Sequence, residues 1–245
     1  MNIARGYSNT ASIPVPGYAI NYMHLMYRNF ANGLSSGYEG IVGITDNGGP
    51  VQQSDIAGVL MTNAAGNDIV ANATGYYHIT VMRYDCTSGT CTQSGPIDDA
   101  GAYSLFATLP QDTYNVEIEM LDGQVLTAGR DYAGQVLLPY VDSTSMQAQW
   151  IGSDLELSWT APTGDANWNE VDQLRIVVFD NNNQTVLQIR LAPGDTSVII
   201  PAALVSQSAT LLGGVALAQW QIQTLAYDDN GMNIARGYSN KSSLP

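Results

Sequence analysis

Lysine is almost missing from this chain: among 245 residues there is one, Lys241. That excludes interior Schiff-base chemistry and a phosphate-binding loop with its lysine. It also excludes a core Lys–Asn isopeptide crosslink. Histidine is nearly as scarce, with only His24 and His78, far apart and without a local acidic partner. A multi-histidine metal centre, haem ligation and a histidine-based nucleophilic triad all lack their residues, and no G-x-S-x-G is present. Charged residues make up 12% of the chain, about half the usual ~25%. They are unbalanced, with 8 Lys+Arg against 22 Asp+Glu for a net charge of −14. A basic footprint for nucleic acid or anionic lipid is absent. Apolar runs stay well short of the ~20 residues that span a bilayer, so no transmembrane helix and no membrane insertion are expected. No secretory leader is visible, and one is expected to have been removed or to lie outside this sequence.

Polarity comes instead from Asn, Gln, Ser and Thr, with 24 glycines and 14 tyrosines. Hydrophobic residues reach 45%, enough for a sizeable core. The two cysteines, Cys86 and Cys91, flank a Ser88-Gly89 turn. A spacer of that kind brings two thiols to disulfide distance across a hairpin. Two thiolates without further ligands do not make a four-coordinate zinc site. A Cys86–Cys91 disulfide and an oxidising, extracellular or cell-surface location are therefore expected.

The ends of the chain repeat each other. Residues 1–14 and 232–245 agree at eleven of fourteen positions, including the first nine, at an offset of 231. Three readings fit: one unit of a tandem array, a terminal strand that occupies the same slot in two molecules, or a chain boundary that falls inside a repeat. In each, the parent protein is repetitive or self-associating. Within the repeat, Ile3, Arg5 and Tyr7, and equivalently Ile234, Arg236 and Tyr238, alternate with smaller residues and are the expected assembly strand.

Strand signals dominate the rest, as short alternating runs between Gly, Asn and Asp turns. Residues Tyr18–Phe30 fit a helix or a strand equally. Gly40–Thr45, Gly58–Thr62, Tyr76–Tyr84, Tyr103–Thr108, Tyr114–Leu121 and Val136–Val141 read as strands, and no long amphipathic helix is evident. The chain divides into the duplicated segment 1–14, an N-terminal β-domain over 15–143 that carries the cysteine hairpin, and a second β-domain over 144–245.

The second domain has the more specific pattern. Leu155-Glu156-Leu157-Ser158-Trp159 alternates and ends on tryptophan. Leu174-Arg175-Ile176, Thr196-Ser197-Val198-Ile199-Ile200-Pro201 and Trp220-Gln221-Ile222-Gln223-Thr224-Leu225-Ala226 follow, before the Asn230-Gly231 turn. In this order they resemble a fibronectin type III domain over about residues 145–240, although Leu174 and Trp220 stand where that family usually has tyrosine. The resemblance implies a seven-stranded Greek-key sandwich, with Trp159 and Trp220 in one core, and a spacer or binding module with no enzyme activity. The expected fold class is thus all-β, with two β-domains, the C-terminal one fibronectin type III/Ig-like. The N-terminal half resembles no specific family.

Candidate sites compete with structural roles. Asp98-Asp99, Asp180–Asn183 and Asp228–Asn230 offer oxygens for calcium, but turns favour the same residues and no EF-hand spacing occurs. Glu117 and Glu119 alternate with apolar neighbours and should lie on an exposed strand face. Paired carboxylates for hydrolysis could otherwise come from Asp165, Glu170 and Asp172. Tyr18, Tyr22, Tyr27, Tyr76 and Tyr77 suit subunit packing or sugar stacking. No catalytic residue, cofactor site or metal site is assigned. The expectation is a non-enzymatic extracellular structural protein: a filament or fimbria-like subunit, or a repeat unit of an adhesive surface protein. It joins copies of itself head to tail through its terminal strands. The alternative is a carbohydrate- or calcium-binding accessory module of a secreted protein, with surface glycans as partners.

Overall fold

Alternation of large apolar side chains with polar ones makes strands that bury a single face, and most of this chain follows that rule. In the computed structural model, residues 17–32, 36–46, 49–69, 73–87, 90–93, 97–105, 109–211 and 213–245 are described. The strands are β1 (Tyr18–Phe30), β2 (Gly37–Asp46), β3 (Gly49–Pro50), β4 (Ile56–Asn63), β5 (Ala73–Thr87), β6 (Thr90–Gln93), β7 (Ile97–Leu105), β8 (Asp112–Met120) and β9 (Val125–Tyr132). They continue with β10 (Gln147–Ile151), β11 (Asp154–Ser158), β12 (Gln173–Asp180), β13 (Thr185–Leu191), β14 (Ser197–Ile200), β15 (Leu217–Tyr227), β16 (Asn233–Tyr238) and β17 (Ser242–Ser243). A helix, α1 (Ala202–Leu211), lies between β14 and β15.

The C-terminal half is a two-sheet sandwich. One sheet has the order β10-β11-β14; the facing one runs β13-β12-β15-β16, with β17 continuing beside β15. Lettered along the chain from A, with β13 as C′ and β16 with β17 as a split last strand G, this is A-B-E packed on C′-C-F-G. That is the fibronectin type III arrangement. Leu155, Leu157, Leu174, Ile176, Val178 and Ile222 meet between the sheets. Trp159 and Trp220 lie in the same core with ring centroids 6.4 Å apart at 60°, as their strand positions require.

The N-terminal half repeats the plan with other strands. Sheet β4-β8-β9 covers β1 and β2 through Met23, Leu25, Val42, Ile44, Met61, Tyr114, Val116, Ile118 and Tyr132. Residues 18–30, which fit either element in the sequence, form a strand because alternate positions Met23 and Leu25 are needed in this core.

The two halves share one sheet, which periodicity did not reveal. Beyond β16 the sheet continues into β1, parallel, and beyond β13 into β5, also parallel. The antiparallel pairs β1–β2, β2–β7 and β7–β5 complete the circuit. Eight strands, β1-β2-β7-β5-β13-β12-β15-β16, therefore close into a ring with no free edge, flanked on each side by a three-stranded sheet. Closure of an eight-stranded barrel leaves an interior wide enough for side chains or one small ligand. On β1, β12 and β15 one face packs in a sandwich core and the other turns inward. On β12, Leu174, Ile176 and Val178 enter the core, so Arg175 and Val177 face the interior.

Two expectations need correction. Val136–Val141 alternates like a strand but joins no ladder. Pro139 cannot donate to one, and side chains from elsewhere take up the carbonyls instead. Asn29 Nδ2 donates to Leu138 O at 2.9 Å, and Thr224 Oγ1 to Pro139 O at 2.6 Å. The helix α1 was not anticipated, because its ten residues show neither charge nor a clear apolar stripe. It begins after Pro201, with the Ala202 N–H bonded to Asp154 Oδ1 at 2.8 Å.

Candidate functional site

Two features stand out: the slot filled by the repeated strand and the interior of the ring beside it. In the slot, β16 pairs antiparallel with β15 and parallel with β1, so both of its backbone edges are used. Every residue from 233 to 239 is specified. The Asn233 N–H donates to His24 Nδ1 at 3.1 Å, and Asn233 Oδ1 accepts from Arg236 Nε at 3.1 Å. Ile234 and Ala235 meet the sandwich core. Gly237 is mandatory, since a Cβ there would lie 2.4 Å from both Pro139 O and Thr224 Oγ1. Tyr238 stacks on Phe30 at 4.2 Å and 10°. Ser239 Oγ accepts the Ile222 N–H at 3.0 Å, and Gln221 Nε2 donates to Ser239 O at 2.7 Å. Of the expected assembly residues, Ile234, Arg236 and Tyr238 therefore share one strand. The small residues Ala235 and Gly237 make its closest packing, and Arg236 turns into the ring. Ile3, Arg5 and Tyr7 lie outside the described residues.

Inside the ring a cavity of about 830 Å³ opens at the β15–β16 hairpin. Its walls come from β1 (Tyr22, His24), β12 (Arg175), β13 (Gln188, Arg190) and β16 (Asn233, Arg236), with Tyr227, Asp228 and Asp229 at the mouth. Gly43 lets Tyr22 lie across β2, because a Cβ there would meet the Tyr22 ring at 2.3 Å. Tyr22 in turn stacks on His24 at 4.8 Å. Burial, and then the positive charges of Arg236, Arg130 and Arg175, hold His24 down to about 3, so it is neutral. With Nδ1 accepting from Asn233, its proton sits on Nε2. Arg28 bridges to Glu39 at 3.3 Å and packs over Phe30 at 5.4 Å. Arg190 lies 3.6 Å from Asp85.

Arg130, unremarked in the sequence, ties the mouth together. Nη1 donates to Met23 O and Nη2 to Asp228 Oδ2, each at 2.6 Å. Burial opposes the Asp228 charge. The Met232 N–H, Arg130 and the Asn230 N–H outweigh it and hold the carboxyl below the usual carboxylate range.

The remaining candidates fall elsewhere. Cys86 and Cys91 are directly opposite on β5 and β6, and no cysteine among the described residues is free. Two of the acidic clusters serve turns. Asp228 Oδ1 accepts from Asn230 and Met232, and Asp180 Oδ1 from Asn182 and Gln184. Asp98 and Asp99 lie on β7. Among the described residues no group of three or more His, Cys, Asp or Glu is placed to hold a metal ion. Glu117 and Glu119 are exposed on β8, and Asp172 accepts the Tyr227 N–H at 2.8 Å. Tyr27 packs edge-on against Tyr38 at 5.0 Å.

No protein-family model and no curated protein matches the chain. Among solved structures, the central fibronectin-III array of RIM-binding protein overlaps 97% of this chain at 10% identity and a TM-score of 0.30, and this chain covers 66% of its length. A segment of two fibronectin type-III domains from chicken tenascin overlaps 92% of this chain and 94% of its own length, at 10% identity and a TM-score of 0.27. The FN1–FN3 domains of chicken CNTN1 overlap 94% of this chain and 67% of their own, at 13% identity and a TM-score of 0.30. Overlaps this loose carry no argument. The fibronectin-type description of the C-terminal half stands on its strand order.

Proposed function

We propose that this chain is a non-enzymatic, extracellular structural subunit that joins copies of itself head to tail, the N-terminal nonapeptide of one copy filling the β16 slot of the next. The observation that carries the reading is that the slot uses each residue from Asn233 to Ser239, and that residues 2–8 have the identical sequence. Because β1 and β15 already flank β16, an incoming strand has no edge to dock beside. It must replace β16, so the contact is an exchange. Such a contact is heterologous and propagates instead of closing as a dimer. In a tandem array the same geometry arises covalently, with residues 1–14 as the last strand of the preceding unit.

Deletion of residues 1–14 tests this. Sedimentation velocity and negative-stain microscopy should find ordered assemblies for the full chain and monomers for the truncated one. Equal assembly by both would sink strand donation. The extracellular location goes with a Cys86–Cys91 bond that pins the β5–β6 hairpin, its small loop limiting the stabilisation to about 2–3 kcal/mol. Thiol titration of unreduced, denatured protein should find no reactive cysteine, and two would refute the bond.

A further inference from the structure

We infer that joined copies meet through a second, apolar contact: Trp150 and Ile151 of the copy that accepts the strand pack against Leu121 and Val125 of the copy that donates it. The inference rests on the head-to-tail reading above and names a surface which that reading brings together. Among the described residues, eight large apolar side chains are exposed. Scattered singly, such residues need no partner. Four of the eight stand in two pairs, however, and each pair lies beside one end of the path between copies.

The first pair lies where the slot ends. After β16 the Leu244 N–H donates to Ala218 O at 2.8 Å, Leu244 packs on the sandwich core, and Pro245 O accepts from Trp150 Nε1 at 3.2 Å. Trp150 shares a side of β10 with Ala148, which touches that core. It is still 42% exposed, and Ile151 beside it is 49% exposed. The second pair lies where β1 begins. Gln124 Nε2, in the turn between β8 and β9, donates to Tyr18 O at 3.4 Å. Leu121, 69% exposed, and Val125, 50% exposed, flank this turn.

The repeat sets how far apart the pairs can be. Pro14 matches Pro245, so a donated strand that follows the path of β16 and β17 brings Pro14 against the acceptor's Trp150. Tyr18, the first residue of the donor's own β1, comes four positions later, at most about 14 Å away in a fully extended chain. Pro14 and Pro16 are two of those positions, and their fixed φ makes the join a stiff spacer. A join this short sets the β8–β9 turn of the donor against the exit of the acceptor, where the two pairs bury each other's apolar surface. The carboxylates around the turn face backbone donors of their own: Asp46 accepts the Gly17 N–H, Asp55 the Gln52 N–H and Asp122 the Gln124 N–H. The contact is heterologous, like the strand exchange, and propagates with it.

The test uses the full chain. Ile151→Ser and Leu121→Ser alter exposed positions, so each should leave the urea midpoint of the monomer unchanged. Each should also raise the concentration for half-assembly, read by sedimentation velocity, about fivefold or more. A second measurement reads the contact directly. Ile151→Cys copies, mixed with Leu121→Cys or Val125→Cys copies and mildly oxidised, should form a disulfide between copies, identified by peptide mass spectrometry. Leu60→Cys copies, also altered at an exposed position but on β4, should form none with Ile151→Cys. Assembly that needs residues 1–14 but is indifferent to Ile151→Ser and Leu121→Ser, or that gives no such disulfide, overturns this contact and leaves strand donation standing. Assembly that does not depend on residues 1–14 overturns both.

Discussion

His24 shows how far a single residue feels the ring around it. It sits between Tyr22, the Asn233 backbone and a set of arginines, and its pKa falls from 6.5 to about 3. In the unfolded chain the imidazole takes a proton near its ordinary value. In the native state it stays neutral until far more acid conditions. Stability from this group is therefore complete above about pH 6.5 and is lost as pH falls toward 3, at up to ~1.4 kcal/mol per pH unit. Urea unfolding of the wild type and His24→Asn between pH 7 and 4.5 should show a flatter pH dependence in the variant. His78 is common to both proteins and cancels. Asp228, whose carboxyl is lowered, titrates below this window. Identical slopes would mean that His24 protonates freely in the fold.

Among the elements, β16 carries the most demands, and Gly237 is the strictest of them. A methyl group there meets a backbone oxygen, Pro139 O, at 2.4 Å, and that neighbour cannot swing aside. Overpacking of this kind costs about 1–3 kcal/mol. Gly237→Ala should thus lower the urea midpoint of the monomer. Gly6→Ala, the matching change in the N-terminal copy, should leave the monomer midpoint alone and weaken head-to-tail assembly. Full assembly of the Gly6→Ala protein would argue against strand exchange.

The legible elements were those whose partners lie nearby in sequence or whose pattern is strict. Leu155, Leu157 and Trp159 announced a half-buried strand, and the order of the strands that follow gave the sandwich. The ring was not legible. Its seams join β5 to β13 and β1 to β16, pairings about a hundred and two hundred residues apart in the chain, and no local periodicity encodes which strand lies beside which. For the same reason nothing local marks Arg175 and Arg190 as inward-facing. They face inward only because the sheet curls back on itself. Val136–Val141 failed in the opposite way: its spacing is that of a strand, but Pro139 and a lack of partners leave it as an extended strap.

At the scale of the molecule, the ring changes what counts as a domain. Each sandwich has its own core, yet the larger sheet of each ends only where the other begins. Separating the halves would bare the edges of β1, β5, β13 and β16, a row of unpaired backbone groups that invites aggregation. Calorimetry of the full chain should accordingly show one transition with matching calorimetric and van't Hoff enthalpies. Two resolved transitions would show that the seams contribute little.

The parallel seam between β1 and β16 also sets how the molecule bears tension. The chain enters the ring through β1 and makes its last ring strand at β16, before β17 pairs beside β15, and β1 and β16 run side by side in the same direction, joined at Tyr27–Phe30 and Ala235–Tyr238. A pull on the chain before β1 and after β16 drags these strands past each other along their length. The bonds of the seam, with the Ala31 N–H to Tyr238 O bond at 2.9 Å, are then loaded together in shear instead of peeling one at a time. The fold thus meets a pull along its own chain with a whole row of bonds at once.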